Sequence, residues 1–195
     1  MQKNQQSRKS KKWLKHGVFI IAVIVAVIQN PSSLFGEDPT ESTTEVSKDR
    51  VEVELIDVID GDTVKIKMDG EQTLARLLLI DTPETSTTKT GNVQPYGKEA
   101  TTYLNSLLKD KNISVEFEPS HQIVDDYDRY LVYMFADDQL IQESMLLEGF
   151  ARLGYENTKE KYYNRLLEAE EAAEIAKKNI WSVPGYVQEY GFSEQ

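Results

Sequence analysis

Cysteine is absent from this 195-residue chain, and histidine occurs only twice. No disulfide framework and no thiolate metal centre can therefore be built. His16 falls in a basic N-terminal stretch, so a histidine-rich zinc site is excluded, and a Ser-His-Asp triad would have to use His121. His121 itself reads as an exposed loop residue. Long apolar runs are also missing. The longest, residues 18–28, has eleven members, short of the roughly 20 a bilayer-spanning helix needs. No Asp-x-Asp-x-Asp-Gly loop with a distal glutamate occurs, which rules out an EF-hand. Chemistry in this chain must come from carboxylates, arginines, tyrosines and a bound ion.

Charge is distributed unevenly. Residues 1–36 carry six cationic side chains and no acid, which leaves residues 37–195 at −17 against −11 for the whole chain. The basic head followed by an apolar centre matches a secretory signal. Two readings stay open for residues 1–36: a cleaved signal peptide, or an anchor holding the membrane through residues 13–28. Either places the remainder outside the cytoplasm, secreted or on the outer face of the cell membrane. Residues 37–49 are polar and poor in apolar side chains, the composition of a disordered linker.

The body begins near Arg50 with period-2 alternation. Val51, Val53 and Leu55 alternate with Glu52 and Glu54, and Val64, Ile66 and Met68 with Lys65 and Lys67. Asp69-Gly70 supplies the tight hairpin turn to a third strand over 72–80. The period then changes. Ala100, Tyr103, Leu104, Leu107 and Leu108 share one helical face. Strands follow over 113–118 and 130–135, a short helix over 140–148 stopped by Gly149, and a longer helix from Thr158 to about Lys177. Its acids Glu168, Glu170, Glu171 and Glu174 read as a solvated face. Five strands with an interposed helix close naturally into a small barrel of the OB type, an α+β fold with three helices in all. Residues 50–182 form this domain, and residues 183–195 read as a tail.

Two segments stand out from this frame. Asp60-Gly61-Asp62-Thr63 lies at a strand start, and fourteen residues after Asp62 comes Arg76-Leu-Leu-Leu-Ile-Asp81-Thr82-Pro83-Glu84. Carboxylates and an arginine at the ends of apolar strands are costly to bury without compensation. A hard cation and a phosphate would supply it, because carboxylates bind the first and guanidinium the second. A second arginine sits in Asp125-Asp-Tyr127-Asp-Arg129-Tyr130. Each element alone has a plainer reading: acids in a solvated turn, Arg76 as a structural ion-pair partner, Arg129 neutralising the aspartates around it. Naive strand geometry even separates Arg76 from Asp81. They are five residues apart, so a straight strand points them to opposite faces. They converge only if the strand bends or ends before Asp81.

The ordered set Val58-Ile-Asp-Gly-Asp-Thr-Val64, Arg76 to Glu84, Tyr96-Gly-x-Glu-Ala100, Tyr127-x-Arg129 and Asn179-Ile-Trp-Ser182 resembles the staphylococcal nuclease (thermonuclease) family over residues 50–182. The resemblance implies an OB-type barrel with three helices. It also implies a calcium-dependent nuclease acting on DNA and RNA and leaving 3′-phosphates; the chain is expected to be a monomer. By that resemblance Asp62 and Asp81 are calcium carboxylates, with Thr82 adding its backbone carbonyl and Asp60 standing outside them. Glu84 positions or deprotonates the attacking water, and Arg76 and Arg129 hold the scissile phosphate. Tyr127 contacts a phosphate, and Tyr155 lies near a base or sugar. The chain departs from the family pattern at Asp126 and Asp128, which flank Tyr127, at Tyr130, and at Asn157, where a second tyrosine is expected. The loop over 85–95 also has a single lysine. These changes thin out the secondary substrate contacts and leave the presumed ligands, base and arginine pair in place. The alternative is a catalytically weak or inactive OB-fold module that binds nucleic acid or protein at the cell surface.

Overall fold

The computed structural model describes residues 49–86, 93–154 and 159–193. Residues 1–48, on which the expected signal or anchor and most of the expected linker fall, and Tyr155 and Asn157 lie outside the described residues. Strands β1 (Arg50–Val58), β2 (Thr63–Met68), β3 (Glu71–Leu77), β5 (Ile113–Glu116) and β6 (Arg129–Ala136) form the barrel. Their order is β3-β2-β1-β5-β6, with the two-residue β7 (Gln139–Leu140) paired beyond β6, and β3 pairs with β6 to close the barrel. The closing pair is parallel, whereas its barrel neighbours are antiparallel. The period-2 pattern predicts this burial. Val64, Ile66, Ala75, Val115, Val132 and Met134 are fully buried, while Lys65 and Lys67 alternate outward. Asp69 and Gly70 both take positive φ, 52° and 89°, as a tight hairpin turn requires.

Among the described residues three helices flank the barrel: α1 (Gly97–Leu108), α2 (Ile141–Leu147) and α3 (Tyr163–Ile175). Ala100, Leu104 and Leu108 of α1 are buried at i, i+4 and i+8. Gly149 ends α2 as expected. With φ of 67° it donates to the Leu146 carbonyl at 2.8 Å, and Phe150 donates to that of Met145 at 3.0 Å. Among the described residues no helix is long and apolar enough to cross a membrane.

Four local features differ from the sequence expectation. Strand 72–80 is not continuous: β3 stops at Leu77, and a separate two-residue strand, β4 (Ile80–Asp81), pairs with β8 (Arg152–Leu153). His121 is half-buried, its Nε2 2.6 Å from Oε1 of the buried Glu160. The Tyr133 hydroxyl lies between Glu118 (3.2 Å) and Glu160 (3.3 Å). Burial and those two acids push its phenol far above the ordinary range. Glu170 is half-buried rather than solvated, accepting a 2.6 Å bond from the Leu153 amide. Residues 183–193 lie against the body, with Tyr186 fully buried and its hydroxyl donating to the Pro95 carbonyl at 2.7 Å.

Candidate active site

Asp62 is the hub of the site. It sits at the entry to β2, buried, with Thr63 directly after it. Its Oδ2 accepts from both the backbone N–H and the hydroxyl of Thr82, each at 3.1 Å, and its Oδ1 accepts from the Thr63 hydroxyl at 3.1 Å. Its main-chain carbonyl accepts from the Leu77 amide at 2.9 Å and from Arg76 Nη1 at 3.4 Å. Gly61 is needed for this approach. A Cβ there would lie 2.7 Å from Thr82 Oγ1 and 2.9 Å from Ala100 Cβ, so any side chain would push the Asp-Gly-Asp turn off Thr82.

Arg76 and Asp81 meet despite their odd spacing. β3 ends one residue after Arg76. Leu77 bonds back to Asp62, Leu78 donates to the Val132 carbonyl at 2.9 Å, and Leu79 turns through a φ of +62°. That reversal resets the alternation before Asp81. The Arg76 guanidinium then lies between two carboxylates, its Nη1 paired with Asp62 Oδ1 and its Nη2 3.6 Å from Asp81 Oδ1. The Arg76 side chain is 9% exposed, so this is a desolvated contact.

Arg129 opens β6. In the parallel closing pair it registers with Leu74, while Arg76 registers with Leu131. Register partners share a face, and residues two apart along a strand share it too. The two arginines therefore stand one rung apart on the outer face of the barrel. Asp125 fixes Arg129: its Oδ2 accepts from Nε at 2.8 Å and Nη2 at 2.7 Å, and its Oδ1 from the amides of Tyr127 (2.9 Å) and Arg129 (3.0 Å). Burial alone would raise the Asp125 carboxyl, but these bonds outweigh it and hold it below the ordinary range. Tyr127 is 78% exposed, with the Arg129 guanidinium 5.3 Å from its ring centroid. Glu84 is placed by its peptide group, whose N–H donates to Gln94 Oε1 at 2.8 Å and whose carbonyl accepts from the Gln94 amide at 3.0 Å. Thr82, two residues earlier, is bound to Asp62.

Whether these residues suit a cation is decided by their charges. Burial and the neighbouring Asp62 push the Asp60 carboxyl up to about 6, and the same two causes raise Asp81. Two guanidiniums, Arg76 and Arg152, do not fully offset three crowded carboxyls. A hard divalent ion matches an all-oxygen donor set of this kind. Among the described residues no three acidic, histidine or cysteine side chains converge on one point as a ready cage. The fit rests on the Asp62–Asp81 pair with oxygen donors beside it.

Arg152 belongs to this cluster and carried no local signal. Arg152 Nη1 donates to Asp81 Oδ2 at 3.3 Å across 71 residues of sequence. The signal for Asp125 as the Arg129 anchor is that of an aspartate opening a tight turn, whose carboxylate accepts the amides two and four residues on.

The Staphylococcal nuclease homologue family model matches residues 75–183, a span that holds Arg76, Asp81, Glu84 and Arg129. The SPbeta prophage-derived endonuclease YokF of Bacillus subtilis is 38% identical over 149 residues, 75% of this chain and 49% of its own length. The chain thus spans about half of that relative. Endonuclease YncB of the same organism is also 38% identical over 149 residues, 75% of this chain and 69% of its length. The Thermonuclease of Staphylococcus hyicus is 32% identical over 163 residues, 84% of this chain and 95% of its length. The family expected from the short motifs is therefore the one found, and the chain belongs to the staphylococcal nuclease family.

Proposed function

We propose that the chain is a calcium-dependent nuclease that hydrolyses phosphodiester bonds of DNA and RNA and leaves 3′-phosphates. The observation that carries this reading is the sharing of one buried guanidinium, Arg76, by the carboxylates of Asp62 and Asp81. Relatives named endonuclease and thermonuclease support it.

In this reading Asp62 and Asp81 hold the ion, with the Thr82 carbonyl as a further oxygen donor and Asp60 behind them. The bound ion would polarise the phosphoryl oxygen and neutralise charge gathering on it. Arg76 and Arg129, on one face of the barrel, grip the non-bridging oxygens as the phosphorus becomes pentacovalent. Asp125 keeps the Arg129 fork from swinging away. Glu84 orients the attacking water and accepts its proton. Tyr127 offers an exposed ring and hydroxyl to the strand beside the cut, and Tyr155 a further contact. The basic leader supports export, as a secreted or membrane-anchored monomer.

Glu84→Ser tests the base. Its kcat on single-stranded DNA should fall by about 10²–10⁴-fold, the range for a positioned proton acceptor, with KM changed little. Rapid-quench kinetics and end-group analysis of the products read this. An unchanged kcat would remove the role, and retention of nucleic acid without any cleavage by the wild type would favour the binding module instead.

The acidic body makes a second prediction. A basic nuclease loses substrate affinity as salt rises. Here long-range repulsion dominates and is screened over about 10 Å at 0.1 M salt. KM for single-stranded DNA should stay flat or fall between low and moderate salt, and a steep rise would contradict the charge argument.

A further inference from the structure

The C-terminal segment reaches the candidate site through one side chain. Arg152 in β8 lies opposite Asp81 in β4. Its Nη1 donates to Asp81 Oδ2 at 3.3 Å, and its Nη2 to the main-chain carbonyl of Glu189 at 2.8 Å. The side chain is only 11% exposed. Glu189 belongs to a small hairpin in which Val187 bridges Phe192. The Gln188 amide donates to the Gly191 carbonyl at 3.0 Å, and the Ser193 amide to that of Tyr186 at 2.8 Å. The hairpin is rooted by Tyr186, whose ring centroid lies 5.3 Å from that of Phe192 and whose hydroxyl is bound to Pro95. Pro95 stands just before α1, and the first residue of α1, Gly97, is pressed against Glu84: a Cβ there would lie 2.7 Å from the Glu84 carbonyl oxygen. A planar fork is thus stretched between one carboxylate and a rooted hairpin.

We propose that Arg152 is a positioning residue that clamps the Asp81 carboxylate to the C-terminal hairpin and so orients it for the divalent cation. This rests on Asp62 and Asp81 being the cation ligands. Arg152 holds Oδ2 and leaves Oδ1 turned toward Arg76 and the Asp62 side. Without the clamp, Asp81 keeps only the longer contact to Arg76, and its side-chain torsions are released. Hydrogen-bonded partners of ligating carboxylates commonly set metal affinity by about 10–100-fold. A lysine at 152 separates geometry from charge. It keeps the positive charge beside Asp81 but has a single nitrogen, so it cannot serve Asp81 and the Glu189 carbonyl in parallel as a rigid fork does. If Arg152 merely offset the charge of Asp81, Arg152→Lys would bind the cation as wild type does.

The test is calorimetric titration of calcium into the full chain, wild type and Arg152→Lys, together with amide exchange at Gln188 and Ser193. The expected result is a calcium Kd raised by about 10-fold or more in Arg152→Lys, with faster exchange at both amides. In the wild type, calcium should slow exchange at the same two amides, because coupling between sites is reciprocal; this arm needs no variant to fold. Equal Kd values in the two proteins, or hairpin exchange indifferent to calcium, would overturn the clamp and leave the cation reading standing. A wild type that takes up no calcium would overturn the cation reading, and the clamp with it.

Discussion

Replacing Arg76 with methionine should lower kcat on single-stranded DNA by about 10²–10³-fold, the cost of one oriented donor to a developing oxyanion. Methionine keeps an unbranched apolar stem and removes the charged head. The same substitution leaves Asp62 and Asp81 without the guanidinium they share. Removing one partner of a buried ion pair typically costs about 3–5 kcal/mol, because the remaining charge is desolvated and unanswered. In chelator the variant should therefore melt well below wild type. Calcium should then close most of that gap, since a ligand bound only by the folded state stabilises it, and here it would supply the positive charge that Asp62 and Asp81 lose with Arg76. The activity deficit should persist in saturating calcium. A purely structural Arg76 predicts the opposite pairing, with activity recovering along with the melting temperature. Thermal melts and kcat, each with and without calcium, separate the two.

Arg129→Ala should lower kcat by a similar factor, about 10²–10³-fold, but at little cost in stability. The contrast follows from what each arginine leaves behind. Asp125 would still accept the amides of Tyr127 and Arg129 at 2.9 and 3.0 Å, so its charge keeps two donors, and the loss should be about 1–2 kcal/mol. Its guanidinium edge of Nε and Nη2 is already held by Asp125, which leaves Nη1 without a protein partner among the described residues. Arg129→Lys should not rescue activity, because a point charge cannot be oriented by one carboxylate while it grips a phosphate with another edge. A kcat within threefold of wild type for Arg129→Ala would remove Arg129 from the chemistry and leave Tyr127 as an exposed ring with no function.

Much of this arrangement was legible because barrel strands advertise themselves. Val64 and Ile66 against Lys65 and Lys67 fix which side of β2 faces the core, and Asp69-Gly70 fixes its turn. Asp62, Thr63 and Arg76 could then be placed at one end of a β2–β3 hairpin from the sequence alone. Their convergence with Asp81 could not. It depends on Leu79 adopting a left-handed backbone, and leucine in an apolar run carries no hint of that. Tertiary constraint imposes it: Leu78 is tied to Val132 on the closing strand, and Gly154 donates to the Leu79 carbonyl at 3.0 Å. Arg152 was invisible for the same reason, since its role exists only once β4 and β8 pair. His121 is half-buried rather than exposed because its partner, the buried Glu160, lies 39 residues away in sequence. Their mutual contact, and the Tyr133 hydroxyl between Glu118 and Glu160, make burial tolerable, and pairing at that distance leaves no local pattern.

The central claim is that Asp62 and Asp81 hold a divalent ion beside two arginines where a phosphodiester is cut. The measurement that meets it most directly is cleavage of single-stranded DNA by the full chain, in calcium and in excess chelator, for wild type and Asp81→Asn. The account predicts rapid cleavage by wild type in calcium, at least 10²-fold less in chelator, restoration when calcium is returned, and an Asp81→Asn rate in calcium close to that of the chelated wild type, on the order of what metal-supplied charge stabilisation contributes. Wild-type cleavage undiminished by chelator, or an Asp81→Asn variant as fast as wild type, would contradict it.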